Sequence, residues 1–596
     1  MTARRIPRFA WPAAFLLALA GLVTTLVIKA RTAAPDPAAP TVTLIAQDQP
    51  TGGDPLRGLR PIIPAKPTAD HTMFEALKQD FPDGPAVTAA CLTCHTEASR
   101  QIMKTAHWTW ICPRAKKKLE EEHHIAIGKA EHIINNFCVA LPSNEPRCTS
   151  CHAGYGWKDK TFDFSDETLV DCLVCHDQTG QYKKFPTGAG HPVYKKDFPD
   201  GREWPKGSGK KWPPLDLSHI AQHVGPPTRT NCGTCHFFGG GGEGVKHGDM
   251  DVKLANPHRS LDVHMAADGM NFTCTQCHTT KEHFIAGRCF EVPAYEDRQF
   301  ALRGVETNLL ACEACHTTDP HPNYPKMNDH ADKVSCQACH IPTMAREKAT
   351  KTWWDWSKAG DKKRKPQPVF DTGEKDYDVK KGEFIWVRNV VPEYVWYNGA
   401  IKHTFMGDKI DDHTAHGDVC AQAHGDYDIM DPAKPAVLIN RVQTGYDDPK
   451  ARIWPAKIMR GIQPYDPVNK TLVIPKLFPS GPDAAEAYWK SYDWDRSIKA
   501  GMAYADLPYS GEYDWIQTEM IWPLKHTVAP MDAALACSEC HQPDARLATL
   551  TGFYMPGRDS NAIVDTIGIA LIIAAIALSL LHGLARIVFR PKGNAA

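Results

Sequence analysis

Two long apolar stretches lie near the two ends of the chain. The first covers residues 9–28 and follows three arginines, and the second covers residues 566–584 and precedes two arginines and a lysine. A helix rises about 1.5 Å per residue, so each stretch is long enough to cross the hydrocarbon core of a membrane. The pattern predicts one transmembrane helix within residues 1–30 and another within residues 562–589.

Basic residues lie on the terminal side of each stretch. They favour a topology in which both termini lie in the cytoplasm and the chain between the two helices lies on the periplasmic side of the inner membrane. The first stretch could instead be a cleaved signal peptide, because it is short and follows basic residues. It lacks a clear small-residue cleavage site, which favours an anchor. Residues 31–66 are rich in Ala, Pro, Thr and Asp and indicate a linker.

Hydrophobic periodicity is weak evidence for the structure of residues 67–555, and the chain contains 47 prolines and 42 glycines. This composition predicts short helices separated by long irregular loops. Residues 483–505 have the pattern of a helix. We expect a mainly α fold with little sheet, plus the terminal transmembrane helices.

Sixteen of the 20 cysteines form eight copies of the motif Cys-x-x-Cys-His, numbered one to eight in chain order. Their residues are Cys91, Cys94 and His95; Cys148, Cys151 and His152; Cys172, Cys175 and His176; Cys232, Cys235 and His236; Cys274, Cys277 and His278; Cys312, Cys315 and His316; Cys336, Cys339 and His340; and Cys537, Cys540 and His541.

In this motif the two thiols bond to the vinyl groups of a haem, and the histidine ligates the iron. Zinc sites and disulfides are the alternatives for paired cysteines, but neither explains the histidine that ends every copy. The motifs therefore predict eight covalently bound haem c groups that supply much of the core. Because such attachment occurs outside the cytoplasm, residues 67–555 are predicted to form a periplasmic octahaem domain.

The motifs are unevenly distributed. Seven of them lie within residues 91–340, and the eighth begins at Cys537. Residues 341–536 contain ten of the 16 tryptophans. We expect this stretch to wrap around the haems rather than to form a separate catalytic domain.

Twenty histidines lie outside the motifs, enough to give every iron a second imidazole. A haem with two histidine ligands transfers electrons without binding substrate, whereas a different or missing second ligand permits chemistry. The candidates for second ligands, chosen for their aromatic or apolar neighbours, are His71, His107, His247, His264, His330, His403 and His526.

Four cysteines lie outside the motifs: Cys112, Cys138, Cys289 and Cys420. A disulfide or a buried thiol is the simple interpretation of each. Cys138 precedes motif two by ten residues, so its thiol could lie over a haem face and act as a nucleophile or sulfur carrier. Cys420 and His424 are similar to a motif that lacks its second thiol, although a plain loop is the simpler interpretation.

Several segments are similar to those of octahaem tetrathionate reductases, and the resemblance covers roughly residues 68–545. The segments are His107–Trp110, Asn135–Cys138, Pro146–Trp157, Asn231–Phe237, Gly239–Gly242 followed by Lys246–Asp249, Pro464–Pro467 and Leu507–Tyr513. They include parts of the chain outside the haem motifs, and both predicted membrane helices lie outside the resemblance.

The resemblance implies a largely helical, haem-packed fold with seven bis-histidine haems. The haem of motif two would be the catalytic one, with His152 on one side and a lysine on the other. Lys246 is the best match for that lysine, and the alternatives are Lys183, Lys184, Lys210 and Lys211. The resemblance also implies a catalytic cysteine, matched by Cys138. Asp159 is a candidate acid near this site.

The leading interpretation is an enzyme that reduces a small oxidised sulfur or nitrogen compound, namely tetrathionate, nitrite or hydroxylamine. A cationic site would attract the anions among these, and residues 183–211 contain seven lysines and one arginine. One alternative is an electron conduit without its own substrate, and another is an enzyme similar to hydroxylamine oxidoreductase. Dedicated nitrite reductases usually have Cys-x-x-Cys-Lys at the catalytic haem, and this sequence has no such motif.

The membrane and an electron donor within it are the expected partners. His582 lies inside the second apolar stretch and could ligate a haem b or meet a quinol, while a position near the membrane interface is the simpler interpretation. The donor would be a membrane cytochrome b or an enzyme of the quinol oxidase type. No nucleic-acid-binding pattern stands out, since the basic run at residues 362–365 is short.

Overall fold

The computed structural model describes residues 67–111, 128–287, 310–369, 372–415, 430–431, 433–442 and 444–589. The predictions for residues 1–66, and those for Cys112, Cys289, Cys420 and His424, lie outside the described residues.

Short helices surround the haem motifs, as expected. The α-helices are Gly84–Leu92, Ala98–Ile102, Ala106–Thr109, Glu145–Cys148, Leu173–His176, Leu217–Gln222, Arg229–His236, Cys274–Cys277, Glu313–His316, Pro325–His330, Cys336–His340, Tyr488–Ser491, Trp494–Tyr504 and Ala562–Val588. The 3-10 helices are His71–Met73, Glu75–Leu77, Thr149–Cys151, Glu167–Leu169, Val252–Ala255, Trp356–Lys358, Ile410–His413, Met531–Ala533 and Cys537–Glu539. The helix predicted over residues 483–505 is two helices, separated at Tyr492 by a left-handed backbone with φ of 56°.

A large sheet occupies the stretch between motifs seven and eight, so the expectation of little sheet is wrong there. The strands of the described residues are β1 Arg202–Glu203, β2 Lys211–Trp212, β3 Thr280–Lys281, β4 Phe284–Ile285, β5 Thr350–Asp355, β6 Tyr377–Asp378, β7 Gly382–Val387, β8 Glu393–Tyr397, β9 Lys402–His403, β10 Thr414–Ala415, β11 Ala436–Leu438, β12 Asn440–Arg441, β13 Arg452–Asp466, β14 Thr471–Leu472 and β15 Asp514–Pro523. Nine of them form one sheet in the order β10-β11-β15-β13-β5-β7-β6, with β8 and β14 also paired to β13.

The central strands explain why the sheet was missed. Strand β13 is buried along most of both faces and contains two prolines, and β15 is buried from Ile516 to Trp522. Strands buried on both faces show no alternation of apolar and polar residues, so periodicity does not reveal them. The antiparallel β13–β15 pair runs from Ala456↔Pro523 to Tyr465↔Asp514 and forms the middle of the sheet.

Tryptophans and tyrosines pack against this sheet and give the stretch a core of its own. Trp354 and Trp356 stack with ring centroids 4.9 Å apart, and Tyr488 stacks on Trp494 at 3.9 Å. All four side chains are buried. The sheet also reaches the haem motifs, because Lys457 of β13 donates to Val245 O at 2.7 Å. It therefore supports the segment that follows motif four.

A buried ion-pair triad crosses the sheet. Arg460 donates to both carboxylate oxygens of Glu393 at 2.7 and 2.9 Å, and to Glu519 at 3.0 Å. Arg460→Met should destabilise the protein by about 3–5 kcal/mol, because it leaves the buried carboxylate of Glu519 and the half-buried carboxylate of Glu393 without their cation. Thermal unfolding followed by circular dichroism measures the loss.

The control for this substitution is Arg364→Met. Arg364 pairs with Asp376 and Glu383, but all three side chains are about a third exposed to solvent. Partly exposed ion pairs contribute about 1 kcal/mol or less. Equal shifts in the two variants would contradict the assignment of the Arg460 triad as a stabilising element.

The last helix, Ala562–Val588, differs from the others in length and composition. Its most apolar window has a mean hydropathy of 2.5, and none of that window is buried within the protein. Within the described part of the chain, it is the one helix long and apolar enough to cross a membrane. At about 1.5 Å per residue its 27 residues exceed the hydrocarbon thickness of about 30 Å.

Candidate functional site

Seven motif histidines face a second histidine ring at a nearly constant distance. The pairs and their ring-centroid distances are His95–His71 6.3 Å, His176–His283 6.3 Å, His236–His107 6.3 Å, His278–His526 6.4 Å, His316–His264 6.0 Å, His340–His321 6.3 Å and His541–His330 6.0 Å. Two imidazoles on opposite sides of one iron, each bonded at about 2 Å, have centroids about 6 Å apart. The spacing therefore fits two axial ligands of one haem.

Hydrogen bonds of these rings agree with that role. In three motifs the Nδ1 atom of the histidine lies 2.8 to 2.9 Å from a backbone carbonyl, that of Gly225, Ala286 or Pro556. In the His541–His330 pair the second ring is held in the same way, since His330 Nδ1 lies 2.6 Å from Lys326 O. A histidine whose Nδ1 is hydrogen bonded presents Nε2 to a metal in a fixed orientation. These contacts orient the rings towards the space between them.

Five of the seven predicted second ligands lie in such pairs: His71, His107, His264, His330 and His526. The structure places the other two elsewhere. His247 is buried against Trp522 with ring centroids 5.7 Å apart, and burial lowers the pKa of His403, on strand β9, to about 3.

Sequence reasoning missed His283 and His321. Each follows a motif histidine by five residues, but each pairs with the histidine of another motif, His176 or His340. The five-residue spacing is a signal that could have nominated these two. It does not indicate which iron they would ligate.

His152 of motif two is the exception among the eight. In the described part of the chain, no second histidine ring faces it at the distance seen in the other motifs. Five aromatic rings surround it at centroid distances of 4.9 to 6.3 Å: Trp108, Trp110, Trp157, Phe162 and Phe164. Its Nε2 lies 2.6 Å from Trp108 O, so ligation of iron through Nε2 requires that contact to open.

Cys138 lies beside a run of glycines that approaches it closely. Its backbone N–H donates to Asn135 Oδ1 at 2.7 Å, and its thiol donates to Gly240 O at 3.2 Å. Gly241 has φ of 87°, and a Cβ atom there would lie 3.5 Å from the Cys138 sulfur. The left-handed backbone at Gly241 lets the chain turn over the thiol.

The same glycine run contacts two basic side chains, Arg147 and Lys246. Arg147, the residue before motif two, donates to Gly241 O at 3.1 Å and to Pro186 O at 3.2 Å. The stem of Lys246 packs on Gly239, where a Cβ would lie 3.3 Å from its Cδ atom. Cys138, Arg147 and Lys246 therefore all lie against the glycine run Gly239–Gly242, near motif two.

Lys246 is the buried lysine that best suits a neutral ligand. Its Nζ atom lies 4.4 Å from the centre of the Trp522 ring. Burial, together with the positive charge of nearby Lys129, lowers the pKa of Lys246 to about 8. A lysine ligates a metal only as the neutral amine, which a lowered pKa makes more accessible.

Two further lysines, Lys129 and Lys351, lie near Cys138 and motif two. Lys129 lies with its Nζ 4.3 Å from the centre of the Trp110 ring, and it is close enough to the Cys148 thiol to act on it electrostatically. Lys351 is buried among the rings of Trp354, Phe384 and Trp386. Burial lowers the pKa of Lys351 well below its usual range. An anion would find an attractive environment here.

The alternative lysines occupy other places. Lys184 is buried, but its ammonium pairs with Asp171 at 2.9 Å and donates to the carbonyls of Gly154 and His152. Lys183, Lys210 and Lys211 are exposed. Among the five candidate lysines, Lys246 is the one that packs on the glycine run next to Cys138.

Asp159 is a turn residue in the structure. Its carboxylate accepts from the backbone of Thr161 at 2.9 Å and from the Thr161 hydroxyl at 2.5 Å, and these bonds lower the pKa of Asp159. Glu145 is better suited to hold a proton, because burial raises its pKa. It lies one turn before Cys148 and was missed because a lone glutamate carries no sequence signal.

The motifs contact one another in a defined order. Thiols meet between motifs one and three (Cys91 and Cys172), two and four (Cys151 and Cys235), four and five (Cys232 and Cys274), and six and seven (Cys312 and Cys336). Cysteines lie within electrostatic range between motifs three and four, five and six, and seven and eight. The motifs therefore form a row in the order one, three, four, five, six, seven and eight. Motif two lies beside this row, next to motif four.

The cysteine pairs and histidine rings fit covalently bound haem c. The paired rings would hold iron between them, and the thiols would attach the macrocycle. The bound haems would supply one-electron chemistry, and the contacts between motifs place neighbouring haems close together.

Comparisons with known proteins agree with this geometry. A crystal structure of octahaem cytochrome c from Shewanella oneidensis superposes with a TM-score of 0.63 at 40% sequence identity, covering 80% of this chain and 95% of that one. Residues 351–544 match the model of a family described as bacterial cytochrome c. An uncharacterized protein of Archaeoglobus fulgidus is 30% identical over 32% of this chain and 73% of its own length. The chain therefore belongs to the octahaem c-type cytochrome family, and it is a multihaem redox protein with covalently bound haem c.

Proposed function

We propose that this cytochrome carries eight haems, is anchored in the inner membrane with its haem domain in the periplasm, and reduces a small sulfur or nitrogen compound at motif two. One observation carries the proposal. Seven motif histidines face a second histidine ring, whereas His152 faces none among the described residues, and Cys138, Arg147 and Lys246 lie against the glycine run nearby. His152 and the neutral amine of Lys246 would hold the haem of motif two, and a displaceable amine would leave room for a substrate.

Tetrathionate is the substrate that best uses the thiol. The Cys138 thiolate would attack one central sulfur of tetrathionate, break the central S–S bond and release one thiosulfate. The cysteine would then carry the other half as a thiosulfonate disulfide. Two electrons supplied by the haems would release the second thiosulfate and restore the thiolate. Arg147 and the surrounding lysines would hold the two anionic ends of the substrate.

Nitrite and hydroxylamine are further substrates for the same site. Their reduction consumes protons, so an acid is needed near the bound substrate. Glu145 suits this role because its raised pKa favours the protonated form, and its side chain is hydrogen bonded to Tyr504. We therefore assign the role of proton donor to Glu145 rather than to Asp159.

An electron conduit is the second candidate, and the continuous row of motifs favours it. Such a protein would need every iron to have two strong-field ligands and would bind no small molecule. The two candidates therefore differ at motif two alone.

Low-temperature electron paramagnetic resonance (EPR) of the oxidised protein distinguishes the two functions. We expect seven bis-histidine signals and one distinct signal that changes when nitrite or tetrathionate is added. The distinct signal should account for one of eight haems by integration. Eight bis-histidine signals that do not change when nitrite or tetrathionate is added would rule out the reductase.

A further inference from the structure

The long apolar helix begins immediately beside motif eight. His541 Nδ1 lies 2.8 Å from Pro556 O, and the next residue, Gly557, packs so tightly that a Cβ there would lie 2.4 Å from His541 O. The helix is capped by Asn561, four residues after Gly557. Four residues span at most about 14 Å, so the helix start cannot lie far from motif eight.

An arginine fixes the connection between the two. Arg558 donates to the carbonyls of Leu547, Leu550 and Phe553, and it forms two hydrogen bonds of 2.7 Å with Asp559. Asp559 in turn accepts from the backbone of Met555 at 2.7 Å. The segment from His541 to Asn561 is therefore a folded connector rather than a loose linker.

The charge pattern orients the helix. The basic residues that follow its last turn favour the cytoplasmic side, so the Asn561 end faces the periplasm. Motif eight then lies at the outer surface of the membrane. Its edge is accessible, because Cys537 is exposed and the nearby Tyr554 has 65% of its surface in solvent.

We propose that motif eight is the site where electrons from a membrane quinol enter the protein, an inference that rests on the membrane anchoring and the reductase role proposed above. Oxidation of one quinol to quinone would yield two electrons and two protons. The electrons would pass singly to the haem at motif eight, and the protons would be released to water at the outer surface. His541 and His330 would hold that haem.

The row of motif contacts leads from this site to motif two. It runs from motif eight through motifs seven, six, five and four, and Cys235 of motif four contacts Cys151 of motif two. Motif one lies at the opposite end of the row, next to motif three. The two ends provide a matched pair of sites for a test.

Photo-cross-linking tests the position of motif eight directly. Tyr554→p-azidophenylalanine and Phe74→p-azidophenylalanine place the same probe on exposed aromatic positions near motifs eight and one. In liposomes of phosphatidylglycerol and phosphatidylethanolamine, we expect lipid adducts at position 554 and at least tenfold fewer at position 74. Lipid adducts at Phe74 alone, or at neither position, would overturn the proposal.

Reduction kinetics test electron uptake. In the same liposomes, menaquinol should reduce the haems of His330→Met at least tenfold more slowly than those of His71→Met, which alters the other end of the row. Dithionite, which reacts from solution, should reduce both variants alike. Equal menaquinol rates, or no menaquinol reduction of the wild type, would overturn the proposal. Tetrathionate turnover with dithionite as donor reports on the reductase separately, so the two failures are distinguishable.

Discussion

Lys246→Leu is expected to convert the haem of motif two to a high-spin form and to increase its affinity for nitrite at least tenfold. The amine of Lys246 would otherwise occupy the position where nitrite binds, so its removal ends the competition. Leucine fills the buried space and offers no ligand atom. Desolvation lowers the pKa of Lys246 to about 8, so the folded protein gains little from its charged form and the loss of this group should not unfold it. EPR and an optical titration with nitrite measure the two effects.

The control for this substitution is Lys183→Leu. Lys183 is an exposed neighbour of Lys184 in the basic segment and was one of the alternative ligands. It should leave the EPR spectrum and the nitrite affinity unchanged. If Lys246→Leu leaves the spectrum unchanged while Lys183→Leu alters it, the assignment of Lys246 is wrong.

Haem attachment could be predicted from the sequence because it is local. The two thiols and the histidine of motif two lie within five residues, so their spacing alone specifies the chemistry. The second ligands are not local in this sense. His176 pairs with His283, more than a hundred positions later, and His236 pairs with His107, far earlier in the chain. Only the fold decides which rings meet.

The residues beside motif two show the same contrast between those that a local sequence signal indicates and those that only the fold brings together. Cys138 could be proposed because it lies just before the motif, and Lys246 because the resemblance to octahaem tetrathionate reductases implies a lysine ligand that it matches, after the glycine run. Lys351 could not be proposed from the sequence. It lies on strand β5 and comes close to Cys138 only when the sheet packs against the motifs. The sheet itself was missed because strands buried on both faces carry no alternating pattern.

Asp159 and Glu145 show how burial changes an assignment. Both are acidic residues near motif two, and the sequence gives no reason to prefer the second. The structure places Asp159 in a turn where hydrogen bonds from Thr161 stabilise its charged form. Burial of Glu145 favours its protonated form instead. Only the protonated acid can donate to a substrate, so the environment decides between them.

Cys138→Ser should reduce tetrathionate turnover by roughly a thousandfold or more, the scale seen when a catalytic nucleophile is removed. A serine hydroxyl can still donate to Gly240 O, so the loop geometry should survive. It remains protonated near neutral pH and cannot attack the S–S bond as a thiolate does. Steady-state assays with dithionite as the electron donor measure the effect.

Nitrite reduction by the same variant is the internal control. It needs the haem and a proton donor but no thiolate, so it should fall far less than tetrathionate turnover. The EPR spectrum of motif two should also stay as in the wild type, because Cys138 is not proposed to ligate iron. Unchanged tetrathionate turnover would show that the S–S bond is broken without Cys138. Arg147 and the other cationic groups around it would then serve only to bind the anion.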